Sequence, residues 1–289
     1  MLACELAVAC KGKAGDGVQQ TSTSPAPPHT DDARPTIFVK KGVTVGQKRE
    51  DSSDMTMSTL LNIDAHGEGK SVRSEMALDE SMRAMVEVVA ANADVVQKIK
   101  VSFSSFETKV KENGKEKKRS NPVAGKTYVV ESKNGQLEIH DEKGKTVSTA
   151  ERTTVERQYR TIGKADPFVS ALPTSPVKPG QKIESLGKAL VDQMKDNAEG
   201  MSISDVAVTF KDVAGDDGIF DITAKMSRDD GPMTMTIDLR GETRVSVKTG
   251  EPIKIELKGP IVVTSRGDKS KAKIDGSGVI AMKMERKPL

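Results

Sequence analysis

Cysteine is confined to Cys4 and Cys10, and none follows in a chain of 289 residues. The body beyond them therefore has no internal disulfide, no cysteine-based zinc site and no cysteine nucleophile. Tryptophan is absent, and only 2 tyrosines and 6 phenylalanines are present. The 45 basic and 42 acidic residues are interleaved and leave a net charge of +3. A nucleic-acid binder concentrates positive charge and adds stacking aromatics, so that class is excluded. The three histidines, His29, His66 and His140, share no metal-ligand spacing. Gly-x-Ser-x-Gly elbows, phosphate-binding loops and HExxH helices are all missing. The acidic pairs Asp216-Asp217 and Asp229-Asp230 read as turns. No apolar run reaches the length of a membrane-spanning helix. These absences point to a protein that is not an enzyme and that carries neither cofactor nor metal.

What is there is alternation. Ile253, Ile255, Leu257, Ile261 and Val263 fall on one face of a strand, with Lys254, Glu256 and Lys258 opposite. The same period of two recurs through Val206, Val208 and Phe210, through Phe220, Ile222, Ala224 and Met226, and through Ala272, Ile274, Ile280, Met282 and Met284. Asn113-Gly114, Asn134-Gly135, Asp217-Gly218, Asp230-Gly231 and Thr249-Gly250 supply hairpin turns, so sequential strands are antiparallel neighbours. About six strands are expected after residue 198. In the first half, Ile99, Val101 and Phe103 change phase to Phe106, Thr108 and Val110, which predicts a bulge at Ser104-Ser105. The three valines between residues 86 and 89 favour a strand across 82–96, turning at Asn92-Ala93.

Helices are expected in the middle. Thr153 and Glu156 form a capping-box pair ahead of Val155, Tyr159 and Ile162, with Gly163 as the stop. Asp166-Pro167 opens a short turn of helix, and Ser185 caps a helix bearing Leu186, Leu190 and Met194. The predicted fold is mainly β (α+β), a large curved antiparallel sheet or incomplete barrel of about twelve strands. One β-rich domain over 36–289 would comprise two similar halves, 36–150 and 198–287, joined by the helical segment 151–197. The segments 54–59 and 232–237 (Asp54-Met55-Thr56-Met57 against Pro232-Met233-Thr234-Met235) echo one another weakly.

Ahead of this domain, Leu6-Ala7-Val8-Ala9-Cys10 resembles a bacterial lipobox, in which small residues precede a lipid-bearing cysteine. Residues 1–10 are shorter than a secretory signal and have no basic leader. They read either as the end of a signal that starts upstream or as a plain apolar terminus. Residues 11–35 are rich in Gly, Ser, Thr, Pro and Asp, the composition of a flexible linker. The lipobox reading implies lipid attachment at Cys10, a membrane-surface partner and a periplasmic location at the outer membrane.

Arg266-Gly267-Asp268 reads as an ordinary turn, and the basic run Lys109–Arg119 as a solvated hairpin tip or, alternatively, a contact for an anionic lipid or polymer surface. Met55, Met57, Met226, Met233, Met235, Met282 and Met284 share strand faces with aliphatics, a pattern that serves as core filler or as adaptable ligand lining. A tethered sheet of long strands with a few helices resembles lipid carriers of the LolA/LppX type. Gly125-Lys126-Thr127-Tyr128-Val129-Val130, followed by Asn134-Gly135, is similar to a strand-and-hairpin unit in uncharacterised secreted lipoproteins. The resemblance implies a non-catalytic envelope lipoprotein that holds a lipid or acyl chain between sheet and helices, with those seven methionines as lining. The alternative is a structural or protein-interaction module of the envelope.

Overall fold

Alternating apolar residues become, in the computed structural model, eleven strands and three helices among the described residues, which are 35–65, 71–197, 200–230, 233–265 and 272–289. In chain order these are β1 (Lys48–Ala65), β2 (Ser71–Asn92), β3 (Val95–Glu112), β4 (Lys115–Ser120), β5 (Thr127–Lys133) and β6 (Gln136–Asp141). The helices α1 (Thr149–Tyr159), α2 (Pro167–Ala171) and α3 (Glu184–Asn197) follow. The remaining strands are β7 (Ser202–Ala214), β8 (Asp217–Asp230), β9 (Met233–Ser246), β10 (Pro252–Ser265) and β11 (Ala272–Pro288). All belong to one open antiparallel sheet in the order β6-β5-β3-β2-β1-β11-β10-β9-β8-β7, with β4 added to the far part of β3. The first and last long strands are thus neighbours at its centre.

The strand count is eleven against an expected twelve, and the second half holds five strands against six. Each of those five is 13 to 17 residues long, so fewer fit. The bulge falls where the phase change placed it: Arg83 faces Ser105 but Ala84 faces Phe103, leaving Ser104 as the extra residue. The stretch 82–96 is strand, although its turn is Ala93-Asp94, one residue later than expected, with Ala93 at positive φ. The turn before β8 is Gly215-Asp216, so Asp217 and Gly218 are already strand. Arg266-Gly267-Asp268, Gly231 and Pro232 lie outside the described residues, as do His29, His66 and residues 1–34 with Cys10.

The capping box of α1 is Ser148 with Glu151, not Thr153 with Glu156. Both pairs match the Ser/Thr-x-x-Glu pattern. The earlier one wins because Glu151 is also anchored to the sheet: it accepts from Lys126 Nζ at 2.8 Å and from Tyr128 Oη at 2.9 Å. Val155 and Tyr159 remain on the buried face, and Ile162 joins them just beyond the helix. Asp166 caps α2 as expected. Ser185 lies inside α3 rather than ahead of it, and its hydroxyl donates to the Ala171 carbonyl.

All three helices pack on one side of the sheet, the inner face. Two apolar clusters form there. One gathers Met82, Val86, Ile99, Phe103, Phe106 and Tyr128 under α1. The other gathers Phe210, Phe220, Ile222, Leu239 and Ile261 under Leu186 and Leu190 of α3. The outer face is solvated and carries ion pairs such as Arg83–Asp54 at 2.9 Å and Lys254–Glu256 at 2.8 Å.

The sheet curls because bulk is missing from inward positions where alternation calls for an apolar side chain. Gly241, Gly259 and Gly278 step diagonally across β9, β10 and β11, all facing inward. A Cβ at each would overlap a carbonyl oxygen of the adjoining strand, that of Glu256, Asp238 and Ser58 respectively. Backbones therefore approach more closely than any side chain would allow. Pro260, which has no N–H to donate, follows Gly259, and the β9–β10 ladder skips both.

Gly259→Val is expected to destabilise the protein by about 3 kcal/mol, through overpacking against backbone. Val262→Ala, at an exposed outward position three residues away, should change stability by less than about 0.5 kcal/mol. Urea denaturation of the two variants checks the contrast. A second expectation concerns acid. The Lys126, Ser148 and Tyr128 hydrogen bonds hold the Glu151 carboxyl at about 2, below its ordinary 4.5. A depressed folded-state value stabilises above the unfolded value and is lost as pH falls through the folded one. Wild-type stability should thus decline between roughly pH 4.5 and pH 2 more steeply than that of Glu151→Gln.

Candidate functional site

Register places the methionines. Met55 pairs with Met282, Met282 with Leu257, Met284 with Ile255, and Met57 with Ile280. Met226 pairs with Ile237 and Met235 with Val263, while Met233 faces Ser265. Directly paired residues share a face, so all seven expected lining methionines point to the inner face. They do not form one group. Met226 is buried in the larger cluster, and Met57, Met233, Met235 and Met282 pack against it, partly buried. Met55, Met57, Met282 and Met284 form a tighter set on β1 and β11, where Met284 is 49% exposed.

These two central strands grade from polar to apolar. Along the inward positions of β1 stand Arg49, Asp51 and Ser53, then Met55, Met57, Thr59, Leu61 and Ile63. Along β11, Arg286 is followed by Met284, Met282, Ile280, two glycines and Ile274. From Met55 to Ile63 the apolar stripe extends about 27 Å at ~3.4 Å per residue. Beside it on β2 lie Leu78, Met76 and Val72, of which the last two are exposed.

The polar end is roofed by the helices. Arg49 Nε donates to Asp51 Oδ1 at 2.8 Å, and both side chains are largely buried. Burial opposes the guanidinium charge, yet Asp51 outweighs it and the Arg49 pKa is raised. Arg286 reaches Asp166 at 3.9 Å, and Arg157 of α1 reaches Glu80 of β2 at 3.9 Å. Above them Arg160 donates to the Gln193 carbonyl at 2.8 Å, which ties the end of α1 to α3. The Tyr159 hydroxyl is buried here without a hydrogen-bond partner among the described residues, and burial first, then Asp51, raises its pKa. Towards the other end the inner face is half-exposed.

Two clefts occur elsewhere. One of about 410 Å³ lies between α3 and β7, with Lys182, Lys188, Lys195 and Asp205 on its walls. The other, of about 460 Å³, lies beside Pro35–Ile37 and Val213. None of the seven methionines lines either one. His140 stands on edge strand β6, 3.7 Å from Glu138. Among the described residues no group of three or more His, Cys, Asp or Glu is arranged to hold a metal ion, and no helix is long and apolar enough to cross a membrane.

No family model and no curated protein matches this chain. Solved structures offer slight likenesses. Lipovitellin is 8% identical with a TM-score of 0.38 over 85% of this chain, which spans only 25% of that one. DynF from the dynemicin pathway of Micromonospora chersina is 11% identical, TM-score 0.21, over 89% and 90% of the two chains. OccK5 from Pseudomonas aeruginosa is 7% identical, TM-score 0.27, over 83% and 98%. Similarities this low assign no function, and the reading rests on the geometry above.

Sequence reasoning missed the inward glycines and the polar end. The glycines were visible as gaps in the alternation at positions 241, 259 and 278. The polar end had no local signal, since Tyr159 and Arg49 meet only through the fold. Tyr159→Phe removes a hydroxyl that bonds to nothing, so stability should hold or rise by up to about 1 kcal/mol, where a bonded tyrosine would lose about that much. Urea titration of the variant measures it.

Proposed function

We propose that this protein is a non-catalytic binder of a hydrophobic or amphiphilic ligand, a lipid or other acyl chain. The chain would lie along the inner-face stripe of β1 and β11. The observation that carries this reading is the juxtaposition of Met55, Met57, Met282 and Met284 on adjacent strands, half-buried to exposed, at the head of an aliphatic run. Methionine is flexible and polarizable and moulds to chains of varying shape. The stripe exceeds the ~15 Å thickness of a single hydrocarbon leaflet, and each methylene transferred from water contributes about 0.8 kcal/mol. The lipobox-like Leu6–Cys10 segment supports an envelope location for this activity, with lipid at Cys10 as anchor.

The test is ligand extraction and titration. Purified full-length protein should bind a fluorescent long-chain fatty acid, and native mass spectrometry should show one acyl-bearing ligand per chain. Replacing Met55 and Met284 by glutamate should weaken binding at least tenfold while leaving the urea midpoint near that of the wild type. Unchanged affinity in the double variant, or no binding by the wild type, would overturn the assignment.

A further inference from the structure

The basic run that sequence reading assigned to a hairpin tip is the β3–β4 hairpin. Residues 107–119 contain six basic and three acidic residues, so this segment alone carries as much net positive charge as the whole chain. Every residue of β4 is exposed. Lys118 pairs with Glu107 at 2.7 Å, whereas Lys109, Lys111, Lys115, Lys117 and Arg119 have no ion pair among the described residues. The β4 register sets Lys117 opposite Val110 and Arg119 opposite Thr108, on the side of the sheet that carries the stripe. In the next strands Val110 faces Leu78 and Leu78 faces Met57. The hairpin therefore runs beside the Met55–Thr59 stretch of the stripe, and its tip stands level with the exposed Met76.

We infer that the β3–β4 hairpin docks this protein on an anionic lipid bilayer, with the Met76 flank of the stripe turned towards the lipid. Charge complementarity selects that partner. Solvated lysines on a projecting edge suit a diffuse field of headgroups, each contributing about fivefold to partitioning, and exposed apolar residues beside them can enter the interface. Edge lysines also block strand-to-strand association. That role needs charge of either sign, whereas docking needs positive charge. The inference stands whether or not the stripe holds a ligand.

The experiment is vesicle sedimentation with the full chain carrying Cys10→Ser, so that no lipid anchor contributes. Vesicles are phosphatidylcholine alone or mixed with phosphatidylglycerol. The expected result is binding to the mixed vesicles only, abolished at high salt. The triple variant Lys111→Glu, Lys115→Glu, Lys117→Glu should lose at least a hundredfold in partitioning yet keep the parent's oligomeric state and solubility, while the corresponding triple arginine variant binds like the parent. Equal partitioning of the glutamate variant and the parent would overturn the inference. So would binding that ignores phosphatidylglycerol, or no binding at all.

Discussion

The structure depends on the ladder between β1 and β11. It joins the first long strand to the last through 17 residue pairs, from Arg49 opposite Pro288 to Ala65 opposite Ala272. Every other strand pairing is between elements near in sequence. Without this ladder the molecule would be two curved sheets, each ending in a long exposed edge strand, and the apolar faces on either side would be separate. Contacts so distant in sequence incur their chain-closure entropy before they return any energy. The pairing is held by backbone hydrogen bonds along its whole length and on the inner face by methionine and aliphatic contacts.

The same two strands explain why the apolar interior is divided. Each cluster has its own helical cover, α1 on one side and α3 on the other. Between them the inner face of β1 changes from the Arg49–Asp51 pair to methionine, with neither cluster claiming Met55. A buried ion pair rarely adds net stability over an apolar replacement. The pair lies near Tyr159 of α1, next to the Arg160 that bonds to α3, at the polar end of the stripe.

Much of this was legible in the chain. Period-two alternation, the Asn-Gly turns and the phase change at Ser104 are local signals, and the strands, two hairpin tips and the bulge follow from them directly. Helix starts were less legible because two Ser/Thr-x-x-Glu pairs compete. Only the contacts of Glu151 with Lys126 and Tyr128, 25 and 23 residues away, choose between them. The shared face of the methionines could be read strand by strand. Their division into buried and open sets could not, since it is decided by which strands the helices cover.

Closure of the sheet into a barrel is prevented at both edges, and this bears on how the stripe stays open. At one edge β6 has six residues and turns back on itself through the His140–Thr146 bridge, and β4 beside it is charged throughout. At the other, the middle of β7 is occupied by residues 180–183, which bond to Val208 and Phe210, and Asp205 kinks its start at positive φ. Neither edge presents a long free row of N–H and C=O groups to the other. Curvature from the inward glycines brings the two flanks round the inner face, while the blunted edges stop them from zipping together. An open, curved sheet with an apolar seam is what remains when a chain has the bend of a barrel but not its closing strands.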